Sequence, residues 1–134
     1  MKRRITVAAL ITYNGKYLFM TQRKEGGIYP NTIHIPGGGM KDGECCEDAL
    51  RREIMEETGL ELKEIKKFDF EDAILQYKGE EWHFIFLRYL VTSTSNKAIP
   101  GDDAKELFLL NKEEIPKYNH NPISVTLLKK LGLL

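Results

Sequence analysis

Glu53, Glu56 and Glu57 are spaced at i, i+3 and i+4 within a stretch from Glu44 to Thr58 that contains neither glycine nor proline. On a helix that spacing brings all three carboxylates to one face. Mutual repulsion of exposed like charges costs only tenths of a kcal/mol per pair, so a solvated acidic stripe is the ordinary use of such a pattern. The neighbouring residues favour a second use. Arg52 precedes the first of the three glutamates, Gly37, Gly38 and Gly39 form a run just ahead of the helix, and Gly59 follows it directly. Carboxylates gathered on a rigid scaffold make an all-oxygen donor set, which suits a hard divalent cation such as Mg²⁺ or Mn²⁺. The sequence has no Cys/His spacing of the kind zinc requires.

Gly38, five residues, Glu44, seven residues and then Arg52-Glu53-Ile54-Met55-Glu56-Glu57-Thr58-Gly59-Leu60 satisfies every specified position of the Nudix box, G-x5-E-x7-R-E-U-x-E-E-x-G-U with U apolar. A chance match in a chain of this length is on the order of one in ten million at average residue usage. The chain therefore resembles the Nudix hydrolases, and Pro36-Gly37 completes the Pro-Gly-Gly that commonly opens their box. That resemblance implies an α/β/α sandwich with a central mixed β-sheet. It also implies that Glu53, Glu56 and Glu57 bind the metal with Gly37 beside it, that Glu44 assists at the metal shell, and that Arg52 holds the catalytic carboxylates in place. A carboxylate of the box, or one from a later loop, would activate the attacking water; Asp102, Asp103 and Glu106 are candidates for the latter, although a polar turn usually leaves such residues in solvent. Gly38 and Gly39 would shape the substrate side of the site.

The expected reaction is attack of water on one phosphorus of a phosphoric anhydride. Charge repulsion protects such a bond, so bound cations must neutralise the oxygens and acidify a coordinated water. The leading expectation is a small-molecule nucleotide substrate, a nucleoside triphosphate cleaved to monophosphate and pyrophosphate. The tail resembles that of small family members with this activity: Leu110-Asn111, Glu113 to Pro116, then Asn119 and Asn121 ahead of Pro122. In some of those relatives an Asn here reads the base, whereas turn formation and helix capping are its more frequent uses. Arg23 is a candidate phosphate contact. Tyr29, His34, Trp82 and Phe84 could stack on a base, though strand aromatics more often fill a core. His34 stands where the family often has Trp. Alternative substrates are ADP-ribose, a nucleotide sugar or a dinucleoside polyphosphate. A Nudix-fold sensor without catalysis is the reading from another class, and the complete set of acidic residues speaks against it.

Several elements must position these groups. Ile5–Tyr13 and Lys16–Arg23 read as strands joined at Asn14-Gly15, a hairpin signal. The segment from Lys24 to Gly43 reads as loop with a short strand at Thr32–Ile35, because glycine and proline punctuate it. Glu44–Thr58 is the clearest helix, with Gly59 as its stop. Leu62–Tyr77 and Trp82–Thr92 are strand regions, Ser93–Lys105 a polar loop, Leu107–Leu110 a last strand and Ile123–Leu131 a closing helix. One domain over residues 1–134 is expected, since no linker or internal repeat interrupts the pattern.

Lys plus Arg and Asp plus Glu number 20 each, so no broad single-sign field exists to hold a nucleic acid. No apolar run approaches membrane-spanning length. Lys2-Arg3-Arg4 ahead of Ile5–Ile11 is too short and too β-branched to be an export signal. Cys45 and Cys46 are adjacent and cannot staple distant segments, which fits a cytoplasmic setting with buried, inert thiols. Monomer and homodimer both remain open.

Overall fold

The computed structural model describes residues 1–21, 31–93, 98 and 106–134. Strands β1 (Lys2–Tyr13) and β2 (Lys16–Thr21) form the expected hairpin. Asn14 and Gly15 both have positive φ, 51° and 74°, the conformation that lets a two-residue turn follow the right-handed strand twist. Strand β3 (Ile33–His34) lies within the expected Thr32–Ile35 segment and pairs with β2.

The glycine run corrects the expectation of a loop. Gly37–Gly39 is a strand, β4, antiparallel to β1 with Val7 opposite Gly38. Strand β2 takes up only the Ile11–Tyr13 end of this edge of β1, so the groups at Thr6–Ala8 need another partner. A side chain at Gly37 would overlap the Val7 carbonyl and Ala8. The close approach therefore requires glycine, a residue with low strand preference when read alone.

Helix α1 (Cys46–Thr58) begins two residues later than expected. Glu44 instead closes a turn, donating its N–H to the Lys41 carbonyl while its own carboxylate accepts the Lys41 N–H at 2.9 Å. Gly59 ends the helix at φ 71°, as expected. Strands β5 (Leu62–Tyr77) and β6 (Glu80–Ser93) make a long antiparallel hairpin, with a β-bulge between Lys67 and Asp69. Strand β7 (Leu107–Leu110) pairs with β2, a 3₁₀ turn spans Ile115–Lys117, and helix α2 (Pro122–Lys130) closes the fold.

Among the described residues seven strands form one sheet in the order β3-β2-β1-β6-β5, with β4 on β1 and β7 on β2. Strands β1 and β6 run parallel and the other strand pairs are antiparallel. Alternation along β1 then divides the core. Val7, Ala9 and Ile11 pack with Ala49, Leu50 and Ile54 of α1, while Ala8 and Leu10 pack with Leu127 and Leu128 of α2. A strand covered on both faces must be apolar throughout, which explains the unbroken run read from Val7 to Ile11. Each fully buried Leu or Ile contributes roughly 1.5–3 kcal/mol, so both helices are held to the sheet by packing. The result is the expected α/β/α sandwich with a central mixed sheet.

Phe84 and Phe86 are buried, in line with the core use of strand aromatics. Cys45, expected to be buried, is exposed at the N-cap of α1, and Cys46 is partly buried; both thiols are free. Among the described residues no helix is long and apolar enough to cross a membrane.

Candidate active site

One turn of α1 presents Arg52 and Glu53 together, and the next presents Glu56 and Glu57. The Arg52 guanidinium joins them. Its Nε and Nη2 donate in a fork to the Glu44 carboxylate at 2.6 and 2.9 Å, a bidentate geometry that lysine could not supply. Nη1 donates to Glu53 Oε1 at 2.9 Å and reaches Glu56 at 3.4 Å. Nη2 also donates to the Gly39 carbonyl at 3.1 Å. The Arg52 fork, followed by the Lys41 N–H, holds the Glu44 carboxyl down to about 2. Glu44 first, and Glu53 after it, raises Arg52 further above its already high ordinary value. Both groups are therefore charged at neutral pH.

The three glycines of β4 fit between these side chains. Gly37 donates its N–H to Glu57 Oε1 at 2.9 Å, tying the strand to a glutamate that is only 6% exposed. A methyl group at Gly38 would coincide with the Glu53 carboxylate, and one at Gly39 would lie 2.7 Å from Cζ of Arg4. Gly37, Gly38 and Gly39 are thus brought to the same place as Arg52, Glu53 and Glu57, with Glu44 and Glu56 around the guanidinium. Burial of Glu57 would be unfavourable without such a donor.

These residues fit a hard divalent cation in kind. The donors offered are carboxylate and backbone oxygens, and Gly38 leaves open the space in which the Glu53 carboxylate lies. Among the described residues no three acidic, His or Cys side chains yet converge on one point as a finished chelate. Glu53 and Glu56 lean toward Arg52, and Glu57 leans toward Gly37.

The other expected contacts divide. Arg23, Tyr29, Asp102 and Asp103 lie outside the described residues. Glu106 is exposed and precedes β7, its backbone N–H donating to Thr21 Oγ1. The His34 ring bridges the carbonyls of Ile35 and Thr21. Asn119 donates its side-chain N–H to the Asn31 carbonyl at 3.2 Å, and Asn121 caps α2 by accepting the Ile123 N–H at 2.7 Å. Both asparagines therefore perform the turn and capping work that their type favours.

Arg4 was missed, having been read only as part of an N-terminal basic cluster. Its guanidinium lies against Gly39, and its backbone pairs with Phe84. The signal was available in the two-residue period of β1, which puts Arg4 on the same face as Thr6, opposite Gly39. Without β4 as a strand that relation is invisible.

A family model described as NUDIX domain matches residues 2–131. The chain is 32% identical to the nucleoside triphosphatase NudI of Escherichia coli K12, with all of both chains covered. Among solved structures, a MutT NUDIX hydrolase from Burkholderia pseudomallei superposes with a TM-score of 0.81 at 24% identity, covering 96% of this chain and 98% of that one. A MutT protein from Bacillus halodurans gives 0.76 at 16% identity, covering 94% and 80%. At such identities the two structures speak to the fold.

Proposed function

The chain belongs to the Nudix family as a pyrophosphohydrolase acting on nucleotides, and from that premise we propose that it hydrolyses nucleoside triphosphates to monophosphate and pyrophosphate with Mg²⁺, for which Mn²⁺ can substitute. The observation that carries the reading is the set of carboxylates held by Arg52 and β4, together with Arg4 on the far side of Gly39. The match to a nucleoside triphosphatase over both full lengths supports the choice of substrate class.

In this reading Glu53, Glu56 and Glu57 hold the cation with the Gly37 backbone beside them. Once bound, the cation supplies charge neutralisation at the anhydride and a more acidic water. Arg52 fixes Glu53 through its Nη1 and is itself oriented by the ionised Glu44, so the acidic group does not collapse as substrate enters. Water attacks a phosphorus of the α–β anhydride bridge, its proton passes to a carboxylate of the group, and the bridging P–O bond breaks to release nucleoside monophosphate and pyrophosphate. Gly38 and Gly39 shape the substrate side by letting Glu53 and Arg4 close against β4. Arg4 and Arg23 meet the negative charge of the phosphate chain. The setting is cytoplasmic, in keeping with two free adjacent thiols; recovery of the native protein from an exported fraction would overturn that part.

Glu57→Gln is the sharpest test, because glutamine keeps an oxygen to accept the Gly37 N–H and loses only the charge. With Mg²⁺ and a nucleoside triphosphate panel, pyrophosphate release by the parent should fall about 100-fold or more in the variant while the fold persists. Release of monophosphate and sugar phosphate from ADP-ribose or a nucleotide sugar, with no pyrophosphate from any triphosphate, would move the substrate to that class. Unchanged turnover in the variant would remove Glu57 from the site.

A further inference from the structure

Strand β5 is the outermost of its side of the sheet, 16 residues long, and its outer edge has no strand partner among the described residues. Exposed edges of this length invite pairing and are usually short, charged or covered. The face of β5 on the α1 side carries Phe70, 73% exposed, and Ile74, 50% exposed. Beside them a cavity of about 320 Å³ is lined in part by Phe68, Phe70, Leu87 and Tyr89. Solvent-facing aromatic and β-branched side chains on an unpaired edge mark an interaction surface.

We infer that this edge pairs antiparallel with β5 of a second copy of the chain, forming a two-fold symmetric dimer with one continuous sheet. The charges on β5 select that occupant. Its first half carries Lys63, Lys66 and Lys67 with Glu64 and Asp69 among them, and its second half carries Glu71 and Asp72 and no basic residue. Antiparallel self-pairing lays the half of each strand that holds the lysines along the acidic half of the other. A parallel arrangement in register would stack like on like.

The bulge sets the register. Lys67 lies opposite Tyr89 and Phe70 opposite Leu87, both on the α1 side, so the extra residue Phe68 moves the alternation by one between them. With Phe70 on the two-fold axis and each bulge absorbed, Lys67 comes opposite Asp72 of the second copy, and Ile65 opposite its Ile74. Every such pair occurs twice. The side chain of Asp72 is 64% exposed despite its contact with His83, so it is within reach of a partner. On the opposite face Asp69 meets Glu71 of the second copy, and both are already neutralised by Arg88 and Lys130. The cavity beside Phe70 offers the arriving Phe70 an apolar seat. Lysines on an edge ordinarily discourage pairing; acidic complements within the same strand reverse their effect here.

A charge-swap series followed by analytical ultracentrifugation tests the pairing directly. The parent should sediment as a dimer within a range of about 1 µM to 1 mM. Lys67→Asp and Asp72→Lys, each placing like charges opposite one another twice, should weaken the dimer roughly tenfold or more. The double variant should restore it, because each pair then has its signs exchanged. Circular dichroism checks that all four proteins fold. A parent that stays monomeric across the range, single variants that dimerise as well as the parent, or a double variant that fails to recover would each overturn the proposal.

Discussion

Gly37 and Gly38 are neighbours, yet a methyl group on each would meet a different obstacle. At Gly37 it would overlap the carbonyl and Cα of β1, which cannot move without breaking the strand pairing; at Gly38 it would overlap the end of the Glu53 side chain, which can rotate away. Gly37→Ala should therefore lower stability by about 1–3 kcal/mol or more, as overpacking against backbone does, measurable as a fall in urea midpoint. Gly38→Ala should leave that midpoint nearly unchanged while displacing Glu53 from Arg52, with a loss of turnover of roughly tenfold or more. Equal effects of the two substitutions on stability would show that β4 does not make the close approaches described. The gathering of these side chains was legible because a contiguous motif specifies it: Arg52, Glu53, Glu56 and Glu57 share a helix, and Glu44 lies just ahead of it. Arg4 was illegible because it meets Gly39 through strand pairing, from the far side of β4, with 34 positions between the two in the chain.

At the scale of elements, an ionic cluster around the buried Arg88 locks α2 to the β5–β6 hairpin. Arg88 is fully buried, and it donates to both Asp69 oxygens at 2.6 Å, to Thr126 Oγ1 and to the Ile123 carbonyl; Lys130 reaches the same aspartate. Arg88→Leu would strand Asp69 and Glu71 without their principal partner and should destabilise the fold by about 3–5 kcal/mol. The hydrogen bonds from Arg88, then those from Lys130, hold the Asp69 carboxyl below its ordinary range. Its folded value lies below its unfolded value of about 3.9, so its stabilisation is complete above that pH and is lost as pH falls through the folded value. The stability gap between the parent and Asp69→Asn should accordingly be widest near neutrality and narrow below about pH 4. A gap that stays constant between pH 7 and pH 3 in urea titrations would show that Asp69 is not held ionised by this cluster. Element reading succeeded where periodicity and stop signals coincide, as in α1 with Gly59 and in the Asn14-Gly15 hairpin. It failed at β4, because glycine has no strand preference and pairs there only to satisfy the backbone of β1. The Arg88 cluster was equally hidden, since its members are brought together from β5, β6 and α2 by packing alone.

Over the whole molecule the charges cancel, with 20 basic and 20 acidic residues, yet their placement is uneven. Glu44, Glu53, Glu56 and Glu57 surround Arg52 and β4, so four carboxylates face one guanidinium and the site carries an excess of three negative charges. A neutral protein with one concentrated negative site attracts cations locally, without drawing polyanions or polycations to its surface. Arg52 and the Gly37 N–H hold Glu53 and Glu57 through the protein's own hydrogen bonds. Chelation with EDTA should therefore abolish turnover and leave the circular dichroism spectrum unchanged. Saturating Mg²⁺ should then add stability by mass action, about 2.7 kcal/mol when free ion stands at 100 times its Kd, seen as a rise in Tm of several degrees. Glu53→Gln should lose most of that rise while keeping the metal-free Tm close to the parent value, since the change removes charge from the excess. The opposite pattern, a collapsed metal-free Tm with the Mg²⁺ increment intact, would mean that Glu53 supports the fold and that the cation is held elsewhere.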